Sequence, residues 1–159
     1  LFFKGFKSLQ SHRVASWLWK NSRHTLAHYF QSRTSEVYGV DIHPAAKLGK
    51  GIMIDHGTGV VIGETSVIKD NVSIFQGVTL GGTGKETGDR HPKVMEGVLL
   101  SASSTVLGNV QIGRNAKIAA GSVVLEDVKE GTTVAGVPAK EVSQAIDNVP
   151  ADDIDHLIE

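Results

Sequence analysis

The sequence has no cysteine and only a few aromatic residues, five Phe, two Trp and two Tyr. Without cysteine, a disulfide-stapled secreted scaffold, a zinc ribbon and a thiol nucleophile are all excluded. No apolar run approaches the ~20 residues that a membrane-spanning helix needs, and no signal-peptide pattern opens the chain. The charges nearly cancel, with 16 Lys and Arg against 17 Asp and Glu, which argues against a strongly basic nucleic-acid-binding protein. We therefore expect a soluble protein that contacts neither a membrane nor nucleic acid.

An aliphatic residue recurs every six positions through most of the chain. The frame is interrupted by two extra residues at Val60 and Val61 and by a longer insertion between Leu80 and Val94. The positions in this frame are Ile42, Leu48, Ile54, Ile62, Ile68, Ile74, Leu80, Val94, Leu100, Val106, Ile112, Ile118 and Val124. A period of six matches neither an amphipathic helix nor a long alternating strand, so it predicts short strands separated by turns.

Three such strands close a triangular coil of about 18 residues, whose aliphatic side chains point inward. The segment from Ile42 to Glu141 accommodates about five coils once the two breaks are allowed for. The sequence thus predicts a mainly β protein, a parallel β-helix over residues 41–142 with an extended loop at 81–93. The six-residue version of this fold winds left-handed, against the usual crossover rule.

Residues 1–40 follow a helical spacing of apolar residues, which predicts a short α-helical segment, the remnant of an N-terminal helical domain. This segment carries six Lys or Arg and no acid before Glu36. Two interpretations are open: a membrane-surface or nucleic-acid helix, or a helical pair that packs its aromatic face on a partner; we favour the second. Residues 143–159 form an acidic tail, expected to be a solvated cap or a docking peptide.

Two Asp/His pairs lie in the first coil, and one combination of them has the spacing of a catalytic pair. Asp41 and His56 are a little less than one coil apart, so they could meet near one edge of the prism. A neutral imidazole can take a proton from a hydroxyl, and a carboxylate on its other nitrogen fixes the tautomer. The competing interpretation is a turn histidine bonded to backbone.

The loop 81–93 combines glycines with Arg90, whose guanidinium matches a carboxylate bidentately. A surface hairpin remains the alternative, and the loop lacks the residue order of a phosphate-binding P-loop. A metal is not expected, because His24 and His28 have chelating spacing but no third ligand near them in sequence.

Four sequence blocks together resemble the serine O-acetyltransferases, a family of hexapeptide-repeat acyltransferases. The resemblance covers about residues 1–142 and includes the helices before the repeats. The blocks are VDIHPAA at 40–46, DHGTG at 55–59, VTLGGTGK at 78–85 followed by GDRHPK at 88–93, and AGVPAK at 135–140.

The resemblance implies transfer of acetyl from acetyl-CoA to the hydroxyl of L-serine, giving O-acetyl-L-serine for cysteine synthesis in the cytoplasm. It implies that His56 is the general base and Asp41 its partner. By the same resemblance Arg90 holds the serine carboxylate, Asp55 its ammonium group, and His91 adds a further contact.

The resemblance also implies a site for acetyl-CoA along a groove between neighbouring prisms, with no metal. Small residues there would let pantetheine approach the coils, and lysines would face the phosphates. The matching positions are Gly82, Thr83, Ala102, Lys117, Ala120 and Lys140.

Members of this family are homotrimers whose sites are shared between subunits, so His56 and Arg90 are expected to act from different chains. Hexamer formation, binding of O-acetylserine sulfhydrylase and the strength of inhibition by L-cysteine are left open. Two rival functions are a catalytically silent scaffold and an acyltransferase for another acceptor, such as homoserine or an amino sugar.

Overall fold

The computed structural model describes residues 2–85, 87–144 and 150. Helices α1 (Lys4–Lys20) and α2 (His24–Tyr38) precede a stack of short strands that form the three faces of a prism. Face A contains β1 (Val40–Ile42), β4 (Val60–Ile62), β7 (Thr79–Gly81), β10 (Thr105–Leu107) and β13 (Val123–Val124). Face B contains β2 (Lys47–Leu48), β5 (Val67–Ile68), β8 (Lys93–Val94) and β11 (Gln111–Ile112). Face C contains β3 (Met53–Ile54), β6 (Ser73–Ile74), β9 (Leu99–Leu100), β12 (Lys117–Ile118), β14 (Thr132–Gly136) and β15 (Ala139–Gln144).

The strand register follows the predicted six-residue frame. On face A, Ile42 pairs with Ile62, Ile62 with Leu80, and Leu80 with Val106, all in parallel. Val60 and Val61 lie in β4, where they pair with Val40 and Asp41, and the extra residues between Leu80 and Val94 form the long loop. The frame continues beyond each of these insertions. The predicted parallel β-helix of about five coils, preceded by a helical segment, is confirmed.

The core of the prism is the column of inward-facing aliphatic residues. Every position of the frame is buried except Leu48, which is half-buried and packs against the core from the first coil. Leu48 is less covered because it belongs to the first coil, where α1 and not another coil lies beside it in the described part of the chain. Each coil therefore buries the next, as expected of a fold whose stability comes from neighbour contacts.

The helical segment packs on the first coil through small residues and not through its aromatic ones. Phe2, Phe6 and Trp17 are exposed in the single chain, and the predicted packing of this aromatic face on a partner stays a prediction. The buried face of α1 consists mainly of small and polar residues: Gly5, Ser8, Leu9, His12, Ala15 and Leu18. Small side chains are needed there because the helix backbone approaches the first coil closely.

The turns between faces stack into corners, which place chemically active residues. The corner that joins face C to face A contains turns 55–59, 75–78, 101–104 and 119–122, and we call it the C–A corner. The corner that joins face A to face B contains turns 43–46, 63–66, 82–92 and 108–110, and we call it the A–B corner. β15 leaves this pattern, since it runs antiparallel to β14. Most of the acidic tail, residues 145–149 and 151–159, lies outside the described residues.

A buried histidine links α1 to the first coil. His12 is 6% exposed, and burial, helped by the charges of Arg13 and Lys20, lowers its pKa to about 4. Backbone hydrogen bonds to His43 and Ala46 oppose this shift without reversing it. The folded protein therefore holds His12 neutral at pH values where the unfolded chain protonates it.

Replacement of Gly5 by alanine should destabilise the protein, although alanine normally favours a helix by ~1 kcal/mol. A Cβ at Gly5 would lie 2.0 Å from the carbonyl oxygen of Ile54, a backbone atom that cannot turn aside. We expect a loss of about 1–3 kcal/mol in the free energy of unfolding, measured in urea. Gln10→Ala, on the exposed side of α1, is the control. Equal or greater stability of Gly5→Ala would contradict this packing.

The stability should fall on acidification because His12 must acquire a proton that the fold excludes. Its folded pKa lies below its unfolded value, so the contribution is complete above pH 6.5 and is lost as the pH falls toward 4. The loss amounts to about 3 kcal/mol. His12→Leu should flatten the pH dependence of the unfolding free energy in this window, and His24→Leu is the control for loss of an exposed histidine. An unchanged slope in His12→Leu would refute the assignment.

Candidate active site

The turn that carries His56 is held in a left-handed conformation at the C–A corner. His56 has a φ of 55°, and its backbone N–H donates to Asp55 Oδ1 at 2.9 Å. The imidazole is 73% exposed, and its Nε2 lies 3.8 Å from Asp55 Oδ2. Lys4 of α1 donates to the hydroxyl of Thr58 and so fixes the same turn against the helix. His56 is thus presented to solvent on a firmly held backbone.

Asp41 lies in β1, on the outer side of face A, beneath α2. Gln31 Nε2 donates to Asp41 Oδ1 at 2.7 Å, and Gln31 Oε1 lies 3.1 Å from His28 Nδ1. A polar cavity of about 450 Å³ opens at this point, and it does not include His56. Its lining consists of His28, Gln31, Ser32, Ser35, Glu36 and Asp41.

The expected contact between Asp41 and His56 is not formed. Among the described residues, the two side chains share neither a hydrogen bond nor an ion pair, because Asp41 bonds Gln31 and His56 faces Asp55. Asp41 Oδ2 has no partner in the described part of the chain. One carboxylate oxygen is therefore still available to another donor.

Arg90 lies at the A–B corner, where it pairs with an acid that the sequence did not single out. Its Nη2 donates to Glu64 Oε2 at 2.8 Å and its Nη1 to the carbonyl of Gly88 at 3.1 Å. The hydrogen bond from Arg90 is the main cause that lowers the pKa of Glu64, so this acid stays ionised. Within the described residues Arg90 Nε has no acceptor, so part of the guanidinium can still bind an anion.

His91 is nearly buried beside Arg90 and lies flat on Gly63. A Cβ at Gly63 would be 2.1 Å from the ring atoms Cδ2 and Nε2 of His91, so only glycine fits there. Burial, followed by the charge of Arg90, lowers the pKa of His91 and favours the neutral ring. Thr65 contacts the other side of the ring, with its hydroxyl 2.9 Å from Nδ1.

The predicted site residues therefore divide between two corners of the prism. Asp55 and His56 lie at the C–A corner, whereas Arg90 and His91 lie at the A–B corner, with face A between them. One chain alone presents two partial sites on separate edges.

The positions considered for acetyl-CoA divide in the same way. Ala102 and Ala120 lie at the C–A corner, stacked above His56 through backbone bonds such as Gly121 N–H to the carbonyl of Ala102 at 2.9 Å. Gly82 and Thr83 lie at the A–B corner, on the strand and turn side of the long loop. Lys117 in β12 and Lys140 in β15 are on face C, and neither has an ion-pair partner among the described residues.

Gln31, Glu64 and Thr65 are contacts that the sequence reasoning missed. Gln31 gave no signal, because nothing in a helix pattern indicates that it bonds to a strand 10 residues later. Glu64 and Thr65 could have been found, since the repeat places the turn 63–66 directly beneath the loop that carries Arg90.

Two histidines of the helical segment are engaged by an aromatic ring. His24 and His28, the pair with chelating spacing, both pack against the ring of Trp19. Within residues 2–85, 87–144 and 150 no cluster of three or more acidic or histidine side chains could hold a metal ion. Over the same residues no helix has the length and apolar character that crossing a membrane requires.

Comparisons with known proteins agree with the repeat and the motifs. Residues 91–126 match the family model described as bacterial transferase hexapeptide (six repeats). The serine acetyltransferase of Salmonella typhimurium is 56% identical over 155 residues, which are 98% of this chain and 57% of that protein.

Two solved structures extend the similarity to three dimensions. The serine acetyltransferase of Brucella abortus, in complex with coenzyme A, is 56% identical with a TM-score of 0.90, over 91% of this chain and 58% of that one. The enzyme of Neisseria gonorrhoeae, in complex with serine, is 58% identical with a TM-score of 0.87, over 90% and 58% of the two chains.

This chain thus spans a little under three fifths of the length of each of these three relatives. Within that span the agreement covers the helices, the coils and both corners. By sequence and by fold, the chain belongs to the serine acetyltransferase family of hexapeptide-repeat transferases.

Proposed function

We propose that this protein transfers the acetyl group of acetyl-CoA to the hydroxyl of L-serine, giving O-acetyl-L-serine and CoA. The observation that carries the proposal is the pair of corners, one with the exposed His56 beside Asp55, the other with Arg90, which can bind a carboxylate. Relatives above 55% identity include enzymes solved with coenzyme A and with serine, which supports both substrates.

His56 acts as the general base in this proposal. The serine oxygen attacks the thioester carbonyl while His56 takes the hydroxyl proton, and the tetrahedral intermediate collapses to the ester and CoA thiolate. The same imidazolium then returns its proton to the thiolate, so the enzyme ends in its starting state. Direct transfer requires no covalent enzyme intermediate, in keeping with a chain that has no cysteine.

Asp41 is the proposed orienting carboxylate for His56. Its Oδ1 is held by Gln31, and its Oδ2 is the oxygen that would accept from the imidazole. Catalytic hydrogen bonds are often long or poorly aligned before substrate binds, so the missing contact between the two side chains is compatible with this role. The exposed His56 ring can rotate away from Asp55, which would then be left to bind the serine ammonium group.

Arg90 and His91 are the proposed anchors of serine. The Arg90 guanidinium keeps Nε for the substrate carboxylate while Glu64 and the Gly88 carbonyl fix its orientation. His91 contributes a neutral ring beside this charge. Binding both charged groups of serine would orient its hydroxyl toward His56.

Acetyl-CoA would bind between the two kinds of corner. Ala102 and Ala120 offer a surface of small residues above His56, and Gly82 and Thr83 offer the facing wall, with Lys117 and Lys140 as phosphate contacts. Because one chain separates these walls by a whole face, the groove forms only when the C–A corner of one subunit meets the A–B corner of another. A homotrimer of prisms closes three such grooves.

Further partners follow the family resemblance and are proposed on that basis alone. L-cysteine would compete with serine, since both present the same carboxylate and ammonium groups. Binding of O-acetylserine sulfhydrylase and assembly into a hexamer are also proposals, and the geometry of the two corners supports neither of them.

His56→Ala should lower kcat for serine-dependent thiol release by about 10²–10⁴-fold, because proton removal from a weakly acidic hydroxyl is lost. CoA thiol would be measured with L-serine, L-homoserine or no acceptor, and the oligomeric mass checked alongside. His24→Ala, which removes a histidine from the helical segment, is the control. Activity of His56→Ala within a few-fold of the parent would exclude the general-base role. Release of CoA thiol by the parent at the same rate with L-serine as with the other acceptor would favour a different substrate.

A subunit-mixing experiment tests the shared site directly. His56→Ala and Arg90→Ala subunits are each inactive alone, but co-expression should restore about a quarter of the sites, since random pairing brings two intact corners together with that frequency. Co-expression of His56→Ala with Asp41→Asn is the matched control, because the proposal makes both residues members of one catalytic pair. Mixed oligomers that regain no activity would show that the two corners do not cooperate across subunits.

A further inference from the structure

Thr65 contacts the returning end of the long loop at several points. Its hydroxyl oxygen accepts the backbone N–H of Arg90 at 3.0 Å and that of His91 at 3.1 Å. Its carbonyl accepts Lys93 Nζ at 3.1 Å. These contacts join the turn 63–66 to residues about 26 positions later, where the loop 82–92 returns to the prism. Thr65 therefore fixes the backbone from which the Arg90 and His91 side chains project.

The same residue also determines which nitrogen of His91 carries the proton. The backbone N–H of Thr65 points at His91 Nδ1 at 3.2 Å, and a backbone amide can only donate. The Thr65 hydroxyl lies 2.9 Å from the same nitrogen, and its one hydrogen has two acceptors within reach, His91 Nδ1 and the Asp89 carboxylate. The amide donor at Nδ1 by itself requires a lone pair there, so the neutral ring carries its hydrogen on Nε2.

The consequence is a fixed donor beside Arg90. Lys93 adds to the rigidity of the loop, since its Nζ also bonds Asp89 Oδ1 at 2.6 Å and the His91 carbonyl. Among the described residues Nε2 of His91 has no hydrogen-bond acceptor, so its hydrogen is available to a ligand. Arg90 Nε has no acceptor in the same part of the chain, so two consecutive residues each keep a donor for a ligand.

We propose that Thr65 is a positioning residue for the carboxylate end of the acceptor: its hydroxyl holds the backbone of Arg90 and His91 in place, and its backbone N–H keeps His91 in the Nε2–H tautomer. This inference rests on the proposed function for its kinetic test, but the tautomer is a property of the protein alone. Thr65 does not touch the reacting atoms, so its removal should affect binding of the acceptor more than the chemical step.

Thr65→Val keeps the shape of the side chain and removes the hydroxyl. We expect KM for L-serine to rise about tenfold or more, with kcat and KM for acetyl-CoA changed much less, because a buried hydrogen-bond network loses its central group. Thr65→Ser, which retains the hydroxyl, should restore a value near that of the parent. Thr132→Val is the matched control, since it removes another buried threonine hydroxyl, bonded to the Lys129 carbonyl in the last coil. A serine KM for Thr65→Val within about twofold of the parent would overturn the proposal.

The ¹⁵N spectrum of the His91 ring supplies the second measurement, made on the unaltered protein. An unprotonated Nδ1 and a protonated Nε2 are expected, and protonation on Nδ1 would overturn the proposal whatever the kinetics. If the parent acetylates no serine, the proposed function fails, and the His91 tautomer still decides the role of Thr65. The same spectrum also decides the matter should Thr65→Val fail to fold.

Discussion

The constraint on which the rest of this structure depends is the stacking of one aliphatic residue on its counterpart in the next coil. The pairs Ile62–Leu80 and Leu80–Val106 show that this column keeps its register through insertions of different length. Insertions must then leave the prism at a corner, because a residue added within a strand would turn every following side chain to the wrong face. The long loop is tolerated for this reason, and it leaves between face A and face B.

A rigid register also determines which distant residues become neighbours. Residues in equivalent turns lie one above another, so Glu64 and Thr65 meet Arg90 and His91 without any local sequence signal that links them. The corners therefore work as columns on which chemistry can be assembled from separate coils. The loop carries the charged groups, and the turn beneath it supplies their hydrogen-bond partners.

The sequence was sufficient to predict the core and the number of coils, because both follow from one periodic pattern. It also indicated His56 and Arg90 as candidate site residues, because a polar turn and a long loop stand out from the aliphatic repeat. It could not predict that Gln31 would bond Asp41, because that contact depends on how α2 is placed over β1. Nor could it predict which face of α1 meets the first coil, because helical spacing identifies an apolar face without saying what that face contacts. Gly5, not an aromatic residue, allows the close approach.

The ion pair between Arg90 and Glu64 explains how a cation can be kept ready for a substrate anion. Both side chains are about one-third exposed, so the pair contributes at most about 1 kcal/mol to stability. Its effect is better understood as orientation: an arginine with no partner would sample many rotamers, and ordering it on binding would cost about 0.5–1.5 kcal/mol. Glu64 engages Nη2 alone and leaves Nε unpaired, so an incoming carboxylate can share the guanidinium without displacing the acid. The entropic cost of ordering the Arg90 side chain therefore arises during folding and not during binding. The substrate carboxylate then binds a donor whose direction is already fixed.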